Sequence, residues 1–143
     1  MDEPGDGFVL DCSLTMAWCF EDEATPYTDG VQDQLITGRA LVPTVWPLEV
    51  ANATLMGERR KRLDGARGGR FLTMLGGFPI IVDDATSTKA FGETLHLARA
   101  HGLTTYDAAH LELAIRPGLS LAALDEKRKT AAIAVGVRLL SIP

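Results

Sequence analysis

The sequence predicts an α/β domain in which a parallel sheet is wrapped by helices. Three observations predict it. Short apolar runs alternate with longer stretches of helical pattern along the chain. Those runs are nearly all apolar, as expected of strands covered on both faces. The 143 residues contain no repeat, low-complexity tract or linker, which suits one domain over residues 1–143.

Strands are expected at Phe8–Leu10, Ala40–Val42, Pro79–Val82, Leu119–Leu124 and Arg138–Leu140, from "FVL", "ALV", "PIIV", "LSLAAL" and "RLL". Helices are expected at Leu14–Phe20, Ala24–Thr37, Val45–Arg60, Gly65–Leu75, Ser87–His101, Tyr106–Ile115 and Glu126–Val135. The alternation of the two predicts a parallel sheet. In "VPTVWPLEV" Thr44 is a candidate N-cap, with Pro47 in the first turn, where its missing N–H costs little. Gly102 stops one helix, and Thr104 or Thr105 starts the next. "IRPG" ends that helix before the following strand.

Composition narrows the class. Hydrophobic residues at 46% and charged residues at 23% are ordinary for a globular chain. No apolar run approaches the roughly 20 residues a bilayer requires, so no membrane partner is expected. The acidic, turn-forming start "MDEPGDG" carries no basic stretch ahead of an apolar one, so no secretory leader is expected. Two cysteines make no disulfide framework, and no Cys/His spacing resembles a zinc site. The cytoplasm is the expected compartment. A net charge of −5 argues against a simple nucleic-acid coat. The span "ERRKRLDGARGGR" nevertheless gathers Arg59, Arg60, Lys61, Arg62, Arg67 and Arg70. It is either a solvated helix end or an edge that meets phosphates.

Ligands of open parallel sheets bind beyond the carboxyl ends of the strands. Asp11 closes "FVLD" and Asp125 closes "SLAALD"; Glu49 and Asp107 lie in the first turns of the helices that follow other strands. The layout therefore directs four acids to one rim. Each has a structural alternative. Asp11 is a candidate cap, Asp107 and Asp125 suit the positive ends of helices, and Glu49 can face water. Glu49 is nonetheless flanked by apolar Leu48, Val50 and Ala51. Close carboxylates raise one another's pKa, and a hard divalent cation with oxygen ligands relieves the repulsion. Magnesium or manganese fits such a set better than zinc or copper. A cation of that kind activates water and neutralises phosphate charge. The pattern points to a metal-dependent phosphodiesterase.

The blocks "VLDCSLTMAWCF", "VPTVWPLEVANATL", "LTTYDAAHLELAI" and "LAALDEKRKTAA" cover most of the chain. In the order, spacing and context of their acids they resemble the PIN-domain ribonucleases, most closely the VapC-type toxins of bacterial toxin–antitoxin pairs. The resemblance implies a three-layer α/β/α sandwich around a mainly parallel five-stranded sheet. It implies an endoribonuclease dependent on Mg2+ or Mn2+, homodimeric and inhibited by a cognate antitoxin, with products ending in 5′-phosphate and 3′-hydroxyl groups. Carried over by motif, Asp11, Asp107 and Asp125 would be metal ligands, with Glu49 a ligand or an orienting acid. Ser13 matches a hydroxyl position supporting the first aspartate, Thr105 a polar position beside the third acid, and Asn52 a polar position one turn from Glu49. Relatives often carry Ser or Thr two residues before the last aspartate, where this chain has Ala123. A lost hydroxyl there bears on activity rather than fold. Arg59, Arg62 and Arg67 are the candidates for contact with RNA or antitoxin.

Other residues point elsewhere. His96 and His101 are expected at the surface; His110, one turn after Asp107, is read as structural although it can approach the rim. Trp18 and Trp46 are expected in the core or a dimer contact, Cys12 as an inert thiol, and Asp83 and Asp84 in a turn. Two rival functions stand beside the nuclease. "DCSLT" after an apolar strand is similar to the nucleophile loop of haloacid-dehalogenase-like phosphatases, but Ser13 stands where that loop has a second acid. The other rival is a catalytically weak PIN-like module that binds RNA or antitoxin.

Overall fold

The computed structural model describes residues 7–143. The acidic start "MDEPGDG" lies outside the described residues except for Gly7. In chain order the elements are β1 (Gly7–Leu10), α1 (Cys12–Met16), α2 (Pro26–Gln34), β2 (Arg39–Val42), α3 (Trp46–Arg59), α4 (Gly65–Gly76), β3 (Ile80–Val82), α5 (Thr86–Lys89), α6 (Leu95–His101), α7 (Thr105–Ile115), β4 (Ser120–Ala122) and α8 (Glu126–Ala134). The four strands form one parallel sheet in the order β3-β2-β1-β4.

Alternation along β1 divides the core. Phe8 and Leu10 face a cluster with Leu14, Val31, Trp46, Val50 and Phe71, contributed by the first four helices. Val9 faces the opposite cluster, with Leu111, Leu113, Ala131 and Ala132 of α7 and α8. Helices therefore flank the sheet on both sides, and β1 is buried twice over, which explains its unbroken apolar run. Trp46 lies in the core; Trp18 packs edge-on to Phe78 with centroids 5.9 Å apart and donates its indole N–H to the Thr28 carbonyl.

The expected fifth strand at Arg138–Leu140 does not form. Leu139 makes a single parallel bridge with Leu121, flanked by two backbone hydrogen bonds of 2.8 Å. The next rung of a parallel ladder would use the Leu140 carbonyl. That oxygen accepts instead from the Tyr27 hydroxyl at 2.9 Å, so the chain is tied to α2 rather than to β4. Replacing Tyr27 by Phe is expected to cost about 1 kcal/mol and to speed amide exchange at Leu140. Unchanged exchange would show that the hydroxyl does not hold this segment.

Three further expectations are revised. The single helix over Ser87–His101 is broken, because Gly92 adopts non-helical angles (φ −104°, ψ −105°) between α5 and α6. After proline, glycine is the residue least disposed to a helix interior. Thr44 does not cap α3; Val45 takes that position, and Thr44 bonds to the Asp83 carbonyl and the Thr86 hydroxyl. The first helix ends at Met16, and the second starts only at Pro26, where a reciprocal Thr25–Thr28 capping box sets its N-terminus, and ends at Gln34. Gly102 (φ +63°) ends α6 and Thr104 caps α7, as its sequence indicates. Among the described residues no helix is long and apolar enough to cross a membrane.

Candidate active site

Strand order reverses at β1: the chain runs outward through β2 and β3, then returns to place β4 on the other side. The crevice beyond the carboxyl ends of β1 and β4 is thus the switch point of the sheet. Asp11 leaves β1 directly into it. Its backbone is fixed from two sides, with its N–H donating to the Ala122 carbonyl (3.0 Å). Its own carbonyl accepts from the Thr15 amide (3.1 Å) and hydroxyl (2.8 Å). The Asp11 carboxylate does not cap α1. It is buried, and its Oδ2 accepts from Ser13 Oγ at 2.6 Å.

The other oxygen, Oδ1, accepts from the Arg128 guanidinium, whose second terminal nitrogen donates to Asp107 Oδ1. Arg128 therefore bridges acids that are 96 residues apart in the chain. Its side chain is only 6% exposed, so this is a desolvated ion triad rather than a surface pair. Burial alone would lower the guanidinium pKa, but Asp11 and Asp107 outweigh it and the net displacement is upward. Arg128 sits in the first turn of α8, whose N-cap is Asp125. The exposed Asp125 carboxylate accepts from the Arg128 backbone N–H at 3.1 Å.

Glu49 completes the acidic side. Burial, opposed by Arg128 and reinforced by Asp11 and Asp107, raises its pKa to about 7. Beside it His110 is fully buried, and burial, with Arg128, lowers its pKa to about 4. The imidazole is thus neutral at pH 7, and its 3.6 Å separation from Glu49 is not an ion pair. His110 Nδ1 lies 3.0 Å from the Tyr106 carbonyl, so the proton belongs on Nδ1 and Nε2 is an acceptor. His110 Nε2 and Glu49 Oε1 are both buried without a hydrogen-bond partner. A proton on Glu49 would face His110 Nε2 across 3.6 Å, beyond hydrogen-bond distance in this geometry.

The structure therefore brings Asp11 and Asp107 together, sets Glu49 within their electrostatic reach, and places Asp125 as the cap of α8. Ser13 supports Asp11. Asn52 and Thr105 are exposed, and no side-chain hydrogen bond joins either to these acids. Arg62 stacks on Phe20 (3.9 Å) and pairs with Asp22 and Glu23, each at 3.0 Å; Arg59 and Arg67 are exposed. Burial, with Glu49 and Asp11, drives the Cys12 thiol up to about 12, which makes it a poor nucleophile. Asp83 is held low by hydrogen bonds from Arg116, which also binds Glu112 at 2.8 Å and so ties α7 to the loop after β3.

Two participants escaped the sequence reading, Arg128 and the partnership of His110 with Glu49. Arg128 carried a signal. It shares the inner stripe of α8 with buried Ala131 and Ala132, at the i, i+3, i+4 spacing where an apolar residue is expected.

The oxygen donors Asp11, Asp107 and Glu49 suit a hard cation, and the orphaned Glu49 Oε1 is a buried acceptor without a donor. Among the described residues, however, no three His, Cys, Asp or Glu side chains are gathered as a ready cage. Arg128 occupies the position between the two aspartates.

No family model matches the chain, and no curated protein matches it. Among solved structures it is similar to PAE2754 from Pyrobaculum aerophilum, with a TM-score of 0.65 and 22% identity over 90% of this chain and 85% of that one. At that identity the likeness speaks for the α/β fold alone.

Proposed function

We propose that this chain is a PIN-like α/β/α domain and a metal-dependent endoribonuclease, the VapC-type toxin of a toxin–antitoxin pair. The observation that carries the reading is the meeting of Asp11 and Asp107 on one buried guanidinium at the switch point, with Glu49 beside them. Acids remote in sequence are desolvated together there, at a cost to stability that a fold without a ligand for them would avoid. Asp11 and Asp107 would hold Mg2+ or Mn2+, with Glu49 beside them and Asp125 at the edge. When bound, such a cation neutralises phosphate charge and acidifies water. Ser13 keeps Asp11 oriented. Glu49, with its pKa near 7, holds a proton at Oε1 or releases it at neutral pH, as a general base requires. His110 Nε2, 3.6 Å from Oε1, is the acceptor that proton would face. Arg59 and Arg67 are left to meet an RNA backbone or an acidic antitoxin, and homodimer formation in the cytoplasm belongs to the same reading.

The test is RNA cleavage by the purified protein with Mg2+ or Mn2+ and with a chelator. Cleavage leaving 5′-phosphate ends is expected only with metal, and Asp107→Asn should reduce it by about 100-fold. A folded Asp107→Asn protein that cuts at the parent rate ends the proposal. One observation favours the binding-module alternative: Arg128 stands where a cation would sit. RNA binding without cleavage, with metal supplied, would select it.

A further inference from the structure

Resting on the metal reading above, we infer that Arg128 is a resident counter-ion that competes with a divalent cation for Asp11 and Asp107, so that the site is closed by its own chain until metal displaces the guanidinium. The atoms in dispute are few. Ser13 donates to Asp11 Oδ2 and Arg128 donates to Oδ1, so each oxygen of that carboxylate already has a donor. The same guanidinium takes Asp107 Oδ1. A divalent cation held by both aspartates would sit against the positive charge of this guanidinium and compete for the lone pairs it now takes, so the two occupants oppose each other.

Asp11 has no room to offer another arrangement. It is buried, its backbone is bonded to β4 and to Thr15, and its carboxylate is held by Ser13. Arg128 is the member able to leave. Its long side chain projects from the first turn of a helix, and its Nε is buried without a partner, so the guanidinium is held only at its two tips. Three buried polar atoms of this cluster lack partners: Arg128 Nε, Glu49 Oε1 and His110 Nε2. A cluster finished as a structural ion network would satisfy them. This one is complete for the two aspartates and incomplete around them, as expected of a site whose other occupant differs in shape from a guanidinium.

The experiment is Mn2+ binding without RNA, followed by titration calorimetry and by the paramagnetic signal of free Mn2+, for the parent, Arg128→Met and Arg128→Lys. The Met variant should bind Mn2+ on the order of 10–100-fold more tightly than the parent. The Lys variant, a point charge unable to bridge both acids, should fall between them. Arg128→Met should also gain more thermal stability from Mn2+ than the parent does. If the parent binds Mn2+ and neither variant binds more tightly, the competition is refuted while the metal reading stands. If parent and variants alike fail to bind, the metal reading falls, and the inference with it. Should both variants fail to fold, the parent decides. The Arg128 guanidinium resonances should shift and lose exchange protection as Mg2+ is added. Resonances that stay fixed while Asp107 responds would overturn the inference.

Discussion

Asp11→Asn is expected to abolish RNA cleavage, lowering it by more than about 100-fold, and to cost on the order of 2–4 kcal/mol of stability. Both effects follow from one pair of oxygens. In the parent each accepts from a donor, Ser13 on one side and Arg128 on the other. An amide keeps one acceptor and presents a donor in place of the second. Ser13 can rotate and accept from that amide, because a hydroxyl works in both directions. The loss then falls on Arg128, which keeps its charge and its burial but faces a neutral oxygen. Asp107 is 25% exposed where Asp11 is almost wholly enclosed, so Asp107→Asn should be milder in stability while similar in activity. Denaturant unfolding and cleavage assays separate the two effects. An Asp11→Asn protein of parental stability would mean that the ion triad is not formed in solution.

In the presence of a chelator, Glu49→Gln and His110→Gln are expected to tilt the pH dependence of stability in opposite directions. Glu49 rises from its usual 4.5 to about 7 and His110 falls from 6.5 to about 4 on folding. Between pH 4.5 and 6.5 the unfolded chain therefore carries a proton on His110, and the folded chain carries one on Glu49. The counts match, so this pair gives the parent almost no slope there. Glu49→Gln leaves only the histidine, whose unfolded form binds more protons across pH 4 to 6.5, so stability should rise with pH. The change is on the order of 2–3 kcal/mol. His110→Gln leaves only the carboxylate, protonated in the folded state up to about 7, so stability should fall as pH rises from 4.5 through 7. That second change is smaller, because Glu49 is partly exposed. Each shift arises from burial and from Arg128, Asp11 and Asp107, so it survives removal of the partner. Slopes of the same sign in the two variants would refute the opposed shifts of Glu49 and His110.

The sequence announced what depends on the path of the chain and concealed what depends on contact across it. Asp11 and Asp107 were legible because a strand end and a helix start in a parallel sheet point to one rim whatever the packing. The inner strands β1 and β4 were legible for the same reason, since two-sided burial leaves no alternation; β3 is as apolar but lies at the sheet edge, with Ile81 and Val82 exposed rather than covered on both faces. The fifth strand was not, because its failure rests on Tyr27, more than a hundred residues away, taking the Leu140 carbonyl. Nor was the break at Gly92 within an otherwise helical pattern. Arg128 was hidden inside "DEKRKT", where five charges in a row read as solvated surface and only the helical register shows that one of them turns inward. Glu49 and His110 lie on different helices, and nothing local to either reveals the other.

The backbone ties of Asp11 carry a consequence for any ligand that reaches the crevice. Rotational freedom that an exposed aspartate would surrender on coordination is given up here during folding, when β4 and Thr15 clamp the main chain and Ser13 the carboxylate. Association is therefore spared the entropic toll of ordering this group. Preorganisation of that kind lets more of the interaction energy appear as affinity.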